Sequence, residues 1–95
     1  MYILVTYDVD TTTKSGQKRL RDVAKTCKNY GLRVQNSVFE CELTEAQFIS
    51  LKDSLKEIIN SELDSIRFYH LNKNNNRVIT IGKAFICNFD NELII

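Results

Sequence analysis

Apolar and polar positions change their period several times along the chain, and each change marks an element. Residues 2–7 (YILVTY) form a β-branched and aromatic run of strand length, closed by Asp8-Val9-Asp10 and three threonines. Both alternating faces of the run are apolar, with Ile3, Val5 and Tyr7 on one and Leu4 and Thr6 on the other. That pattern predicts a central strand covered on both sides. From about Lys14 to Tyr30 the period turns helical. Leu20, Val23, Ala24, Cys27 and Tyr30 recur at three- and four-residue spacing, Thr12 or Thr13 can cap the start, and Gly31 supplies a stop.

A second helix opens at Thr44 with a Thr-x-x-Gln capping box closed by Gln47. Phe48, Leu51, Leu55, Ile58 and Ile59 form its apolar stripe, which ends near Asn60. Between the helices, residues 33–43 have room for two short strands with a tight reversal near Asn36-Ser37. Two more strand-like runs follow, residues 65–71 (SIRFYHL) and 78–82 (VITIG), separated by NKNNNR at residues 72–77, whose composition predicts a polar, mobile loop. The order β-α-β-β-α-β plus an extra strand is the split βαβ arrangement of an α+β, ferredoxin-like domain spanning residues 1–82. Residues 83–95 alternate Phe85, Cys87 and Phe89 and finish on Leu93-Ile94-Ile95. Such a tail calls for a sheet edge, its own or that of a partner subunit. A homodimer would account both for the tail and for a first strand that is apolar on both faces.

Length and charge narrow the reading. Ninety-five residues fit one domain, and so short a chain gains from any partner that covers more apolar surface. A net charge of +1 supplies no global attraction to nucleic acid or membrane, so any such site must come from local clustering. Three cysteines, Cys27, Cys41 and Cys87, form no C-x-x-C pair; they argue against a disulfide framework or a zinc site and read as buried thiols. The apolar start has neither a basic region before it nor a cleavage site after it. It is too short to span a bilayer, which predicts a cytoplasmic protein with no membrane partner.

Two constellations could carry chemistry. Asp8 and Asp10 stand where the first strand leaves the sheet. Carboxylates there could hold Mg²⁺, which keeps several waters and needs only one or two protein oxygens. Alternatively they are turn aspartates bonded to nearby N–H groups. The first helix carries Lys14, Lys18, Arg21, Lys25 and Lys28 within about 80° of one another on a helical wheel, interrupted by Asp22 alone, while Arg19 projects nearer the sheet. The row reads as a nucleic-acid-binding face or as a solvated helix surface. His70, in an alternating strand, reads as structural or surface. A single histidine excludes a histidine-pair nuclease within one subunit, and no G-x-S-x-G motif is present. An RNA-recognition domain would carry a Gly-flanked aromatic motif where this chain has SVFECEL.

YILVTYDVDT, KRLRDVAK, GLRVQNSVFECEL and DSIRFYHL, in that order over residues 1 to about 82, resemble the CRISPR-associated protein 2 family. The resemblance implies a ferredoxin-like homodimer with Asp8 of each subunit facing the other around one Mg²⁺. It implies metal-dependent endonuclease activity on RNA or double-stranded DNA, and a place in spacer acquisition beside the CRISPR-associated integrase, protein 1. By position, Tyr7, Asp8, Arg19, Arg21, Arg33, Ser37 and Phe39 match the family's active-site and substrate-contact pattern, while Asn36 stands where an aromatic residue is frequent. The alternative within the family is a non-catalytic dimeric adaptor that holds DNA and bridges the integrase.

Overall fold

A computed structural model of the chain describes residues 1–71 and 77–83. The elements are β1 (Tyr2–Asp8), α1 (Lys14–Lys28), β2 (Leu32–Gln35), β3 (Val38–Glu42), α2 (Glu45–Ile58), β4 (Ser65–His70) and β5 (Arg77–Gly82). They build one antiparallel sheet in the order β2-β3-β1-β4-β5. The expected ferredoxin-like α+β architecture is present, and the extra strand extends the same sheet beside β4. The apolar tail, with Cys87, lies outside the described residues, as does the NKNNNR loop apart from Arg77, which opens β5.

Local chemistry sets the helix ends. Thr13 caps α1 by accepting from the Gly16 N–H, and the Thr44–Gln47 capping box of α2 is complete in both directions. The stop of α1 differs from expectation. Asn29 ends the helix in an ordinary right-handed conformation, with its N–H bonded to the carbonyls of Cys27 and Thr26. Gly31 serves a different purpose: a Cβ there would run into the Glu40 carbonyl and Cys41 Sγ, so only glycine lets the chain pass this close to β3.

Both helices pack on one face of the sheet. Ile3, Val5 and Tyr7 of β1, Phe39 and Cys41 of β3, and Ile66 and Phe68 of β4 point into this layer and meet Val23 and Cys27 of α1 and Phe48, Leu51 and Leu55 of α2. His70 is buried on the same face, edge-on to Phe48 at 4.9 Å between ring centres, and is therefore structural. Burial pushes the Cys27 thiol up to about 12 and Cys41 up to about 11, so both stay protonated and act as small apolar side chains.

The expectation that β1 is covered on both sides is not met within one chain. β1 is central, between β3 and β4, but its second face is open: Leu4 and Thr6 are half-buried and Tyr2 is exposed. The edge strand β2 adds Leu32, 70% exposed, and Val34. Among the described residues no helix is long and apolar enough to cross a membrane.

Leu51 has no exposed surface and sits at the middle of the helix–sheet layer. Leu51→Ala should lower the unfolding free energy by about 2–5 kcal/mol, lost transfer energy plus a cavity. Urea unfolding measures this; a loss below about 1 kcal/mol would mean that the layer collapses around the missing side chain.

Candidate active site and nucleic-acid interface

Asp8 is the last residue of β1, paired across the ladder with Ser65. The pleat alternates, so the strand that buries Ile3, Val5 and Tyr7 turns Asp8 to the open face. There Thr6, Tyr7, Asp8, Ser65, Arg67 and Tyr69 line a shallow hollow of about 150 Å³. The Asp8 carboxylate is exposed and accepts no side-chain or backbone hydrogen bond from the described residues.

The neighbouring aspartates accept hydrogen bonds from the protein. Asp10 accepts from the Thr12 N–H at 2.9 Å and the Thr12 hydroxyl at 2.7 Å, which hold its carboxyl below its ordinary value. It is the turn aspartate that one reading of the sequence allowed. Asp64, just before β4, has no exposed surface, yet its carboxylate receives the Asp10 N–H at 3.0 Å, the Asn60 N–H at 2.9 Å and Arg19 Nε at 2.8 Å. Burial opposes ionisation of Asp64, but the Arg19 guanidinium and the two amides outweigh it and hold the carboxyl below its ordinary value.

Arg19 therefore lies apart from the exposed arginines with which it was grouped. Its side chain is 15% exposed, and besides Asp64 it reaches Ser15 Oγ through Nη1 and the Asp10 carbonyl through Nη2. Tyr7, Arg33, Ser37 and Phe39 do come together, on the helix side of the sheet at the β2–β3 hairpin. The Tyr7 hydroxyl donates to the Asn36 carbonyl at 3.0 Å and accepts from Arg33 Nη2 at 3.4 Å. Its ring stacks on Phe39 at 6.1 Å, the Arg33 guanidinium lies 5.2 Å above the Phe39 ring, and the Ser37 carbonyl accepts the Tyr7 N–H. Tyr7 and Asp8 are consecutive and face opposite ways, so Asp8 and the Tyr7–Arg33–Phe39 group lie back to back across the sheet, while Arg19 and Arg21 belong to neither.

Lys14, Lys18, Arg21, Lys25 and Lys28 are all exposed along α1. Lys18 pairs with Asp22 at 2.9 Å, an exposed i,i+4 contact of little energetic weight that a phosphate could replace. Lys25 and Lys28 also sit in the last turn, where the helix dipole favours cations.

Residues 1–79 match the family model described as CRISPR associated protein Cas2. The chain is 48% identical over 96 residues, covering all of both chains, to the protein named CRISPR-associated endoribonuclease Cas2 1 of Moorella thermoacetica. It is 55% identical over 74 residues, 78% of this chain and 77% of the relative, to the CRISPR-associated endonuclease Cas2 of Halalkalibacterium halodurans. The crystal structure of Streptococcus pyogenes Cas2 at pH 6.5 superposes with a TM-score of 0.72 at 61% identity, covering 78% of this chain and 89% of that one. This chain belongs to the Cas2 family.

Two residues beside the candidate site were not singled out from the sequence. Arg67 and Asp64 both lie in the DSIRFYHL run that helped to mark the family. The period-2 pattern of β4 already set Ser65, Arg67 and Tyr69 on the face opposite Ile66, Phe68 and His70, so Arg67 was legible as a neighbour of that face. Asp64 has one local partner, Asn60, but its role at the corner has no local signal, because Asp10 and Arg19 come from the far end of the chain.

The lowered Asp64 carboxyl makes a pH prediction. Its contribution to stability is present in full above the unfolded carboxylate value, near 4, and is lost as the pH falls from there through the folded value. Asp64→Asn should be less stable than the parent at pH 7, and the gap should narrow below about pH 4. Urea unfolding at pH 7, 4 and 3 tests it; a gap independent of pH would remove the ionised carboxylate from the account.

Proposed function

We propose that this protein is a metal-dependent endonuclease of CRISPR adaptation that works as a homodimer. The observation that carries the reading is the state of Asp8. Of the three aspartates around the β1–α1 corner, Asp10 and Asp64 accept hydrogen bonds from protein donors, while Asp8 presents on the open sheet face a carboxylate that accepts none from the described residues. Relatives named endoribonuclease and endonuclease at 48% and 55% identity support phosphodiester chemistry there.

A hard, solvent-facing carboxylate suits Mg²⁺, with space in the hollow for the waters that this ion retains. Among the described residues of one copy no three His, Cys, Asp or Glu side chains gather, so further oxygens would come from Asp8 of a second copy or from the substrate phosphate. The bound ion would supply Lewis-acid polarisation of the phosphate and a more acidic water. The chain itself does the rest. Arg33, held over Phe39 and on the Tyr7 hydroxyl, keeps further N–H donors for phosphate oxygens. Arg21 and the four lysines of α1 bind backbone phosphates away from the reacting centre.

The open face with Leu4, Thr6 and Tyr2, and the apolar residues 83–95, support a second copy as the natural cover. The α1 row also favours a second reading, in which the dimer holds duplex DNA for an integrase without cutting it. Both readings need the row, and only the first needs Asp8.

Asp8→Ala should lower Mg²⁺-dependent cleavage of RNA or duplex DNA by at least about 100-fold with the fold intact, since it deletes a ligand on an exposed surface. Cleavage equal to that of the parent would leave the adaptor reading. Changing Lys18, Arg21 and Lys25 together to glutamate should weaken duplex binding alike on unrelated sequences. It should also flatten the log–log salt dependence by about 0.9 per lost phosphate contact. A triple variant that binds duplex DNA as tightly as the parent at both 50 and 200 mM salt would make the row a solvated surface only.

A further inference from the structure

Asp8 can act only if its carboxylate is presented at a fixed place, and little of that constraint comes from Asp8 itself. On one side β1 ends with the Asp8–Ser65 pair; on the other, the ladder to β3 stops at Thr6–Val38, followed by the Tyr7 N–H to Ser37 carbonyl bond. Terminal strand residues fray unless the chain beyond them is anchored. Val9, buried in the core, holds the chain just beyond Asp8, and the next hydrogen-bonded anchor, one residue further, is double: the Asp10 N–H donates to Asp64 Oδ1 and the Asp10 carbonyl accepts from Arg19 Nη2. Arg19 and Asp64 are themselves joined at 2.8 Å through Nε and Oδ2, and at 3.4 Å through Nη2 and Oδ1.

We propose that Arg19 and Asp64 are positioning residues that fix the β1–α1 corner and thereby aim Asp8, and that Arg19 does not bind phosphate. The inference deepens the nuclease reading and rests on it. Every guanidinium nitrogen of Arg19 has a protein partner: Nε on Asp64, Nη1 on Ser15 Oγ, and Nη2 on Asp64 and the Asp10 carbonyl. A phosphate would have to displace these bonds and strand a carboxylate that has no exposed surface. Arg21, two residues on, is exposed on the outer row and faces no such obstacle. Gly16 completes the clamp. A Cβ there would strike the Asp10 carbonyl, so glycine lets the first turn of α1 close onto the corner and bring Arg19 within reach. Asn60 extends the clamp to the α2–β4 turn, and the Lys83 N–H bonds the Asp64 carbonyl at 2.7 Å, tying in the end of β5.

The test compares Arg19→Gln, Arg19→Lys, Asp64→Asn and the double variant Arg19→Gln/Asp64→Asn with the parent and with Asp8→Ala. Cleavage of single-stranded RNA and duplex DNA is followed as kcat and KM over a Mg²⁺ titration, and affinity as a salt series in chelator. Misplacing a reacting group by about 1 Å costs on the order of 100-fold. Arg19→Gln and Asp64→Asn should each lower kcat by about 10–100-fold and raise the Mg²⁺ midpoint, with KM and the salt slope within twofold of the parent. The double variant should be no worse than the poorer single variant, because the two residues act as one unit. Arg19→Lys, which keeps the charge without the fork, should recover part of kcat and remains informative if the glutamine variant does not fold.

A raised KM with unchanged kcat, or a salt slope reduced by about 0.7–0.9 for Arg19→Gln, would make Arg19 a phosphate ligand and overturn the inference. Full activity of Asp64→Asn would overturn it as well. If Asp8→Ala abolishes cleavage while Arg19→Gln cuts like the parent, this inference fails alone. If Asp8→Ala cuts like the parent, the nuclease reading fails first.

Discussion

Four N–H groups converge on the buried carboxylate of Asp64, two from the backbone of Asp10 and Asn60 and two from the guanidinium of Arg19. The corner between β1 and α1, the turn from α2 into β4 and the end of β5 all meet at this residue. A charge buried there is tolerable only because its lone pairs are filled. Breaking such a pair by removing one partner typically costs about 3–5 kcal/mol, whereas its net worth against an apolar replacement is small. Its value is geometric: it sets where the first strand stops, and thus where Asp8 stands.

The sheet divides the molecule into a finished side and an unfinished one. On the finished side two helices, each started by a threonine cap, cover Ile3, Val5, Phe39, Ile66 and Phe68. On the other side Leu4, Thr6, Asp8 and the Ser65–Arg67–Tyr69 row face outward around a shallow hollow. The same alternation that buries Tyr7 exposes Asp8. Chemistry at Asp8 and cover by a second copy are therefore proposals about a single surface, and the basic row of α1 lies on a different one.

Much of this could be read along the chain because it depends on short-range rules. Periods of two and of 3.6 marked the strands and helices, the Thr44–Gln47 box marked the start of α2, and the ferredoxin-like class followed from the order of elements. The doubly apolar β1 was legible as a strand whose second face needs cover, but a pattern records which surfaces are apolar and not which partner covers them. Gly31 was read as a helix stop, and its real constraint, the crowding at Glu40 and Cys41, is a tertiary contact. The site was legible in its residue types and only half legible in its arrangement. Asp8 and the α1 row follow from local position, whereas the pairing of Arg19 with Asp64 spans 45 residues and has no local signature.

Native-state hydrogen exchange tests the central claim most directly, because it reads the corner residue by residue. Asp64→Ala deletes the acceptor of two specific amides, Asp10 and Asn60, and touches neither the β1–β3 ladder nor the helix–sheet layer. The account predicts that the Asp10 and Asn60 amides lose most of their protection, while those of Val5 and Phe68 continue to exchange only through global unfolding. If the Asp10 amide in Asp64→Ala stays as protected as in the parent, the corner is held by something else, and Asp64 is not the residue that places Asp8.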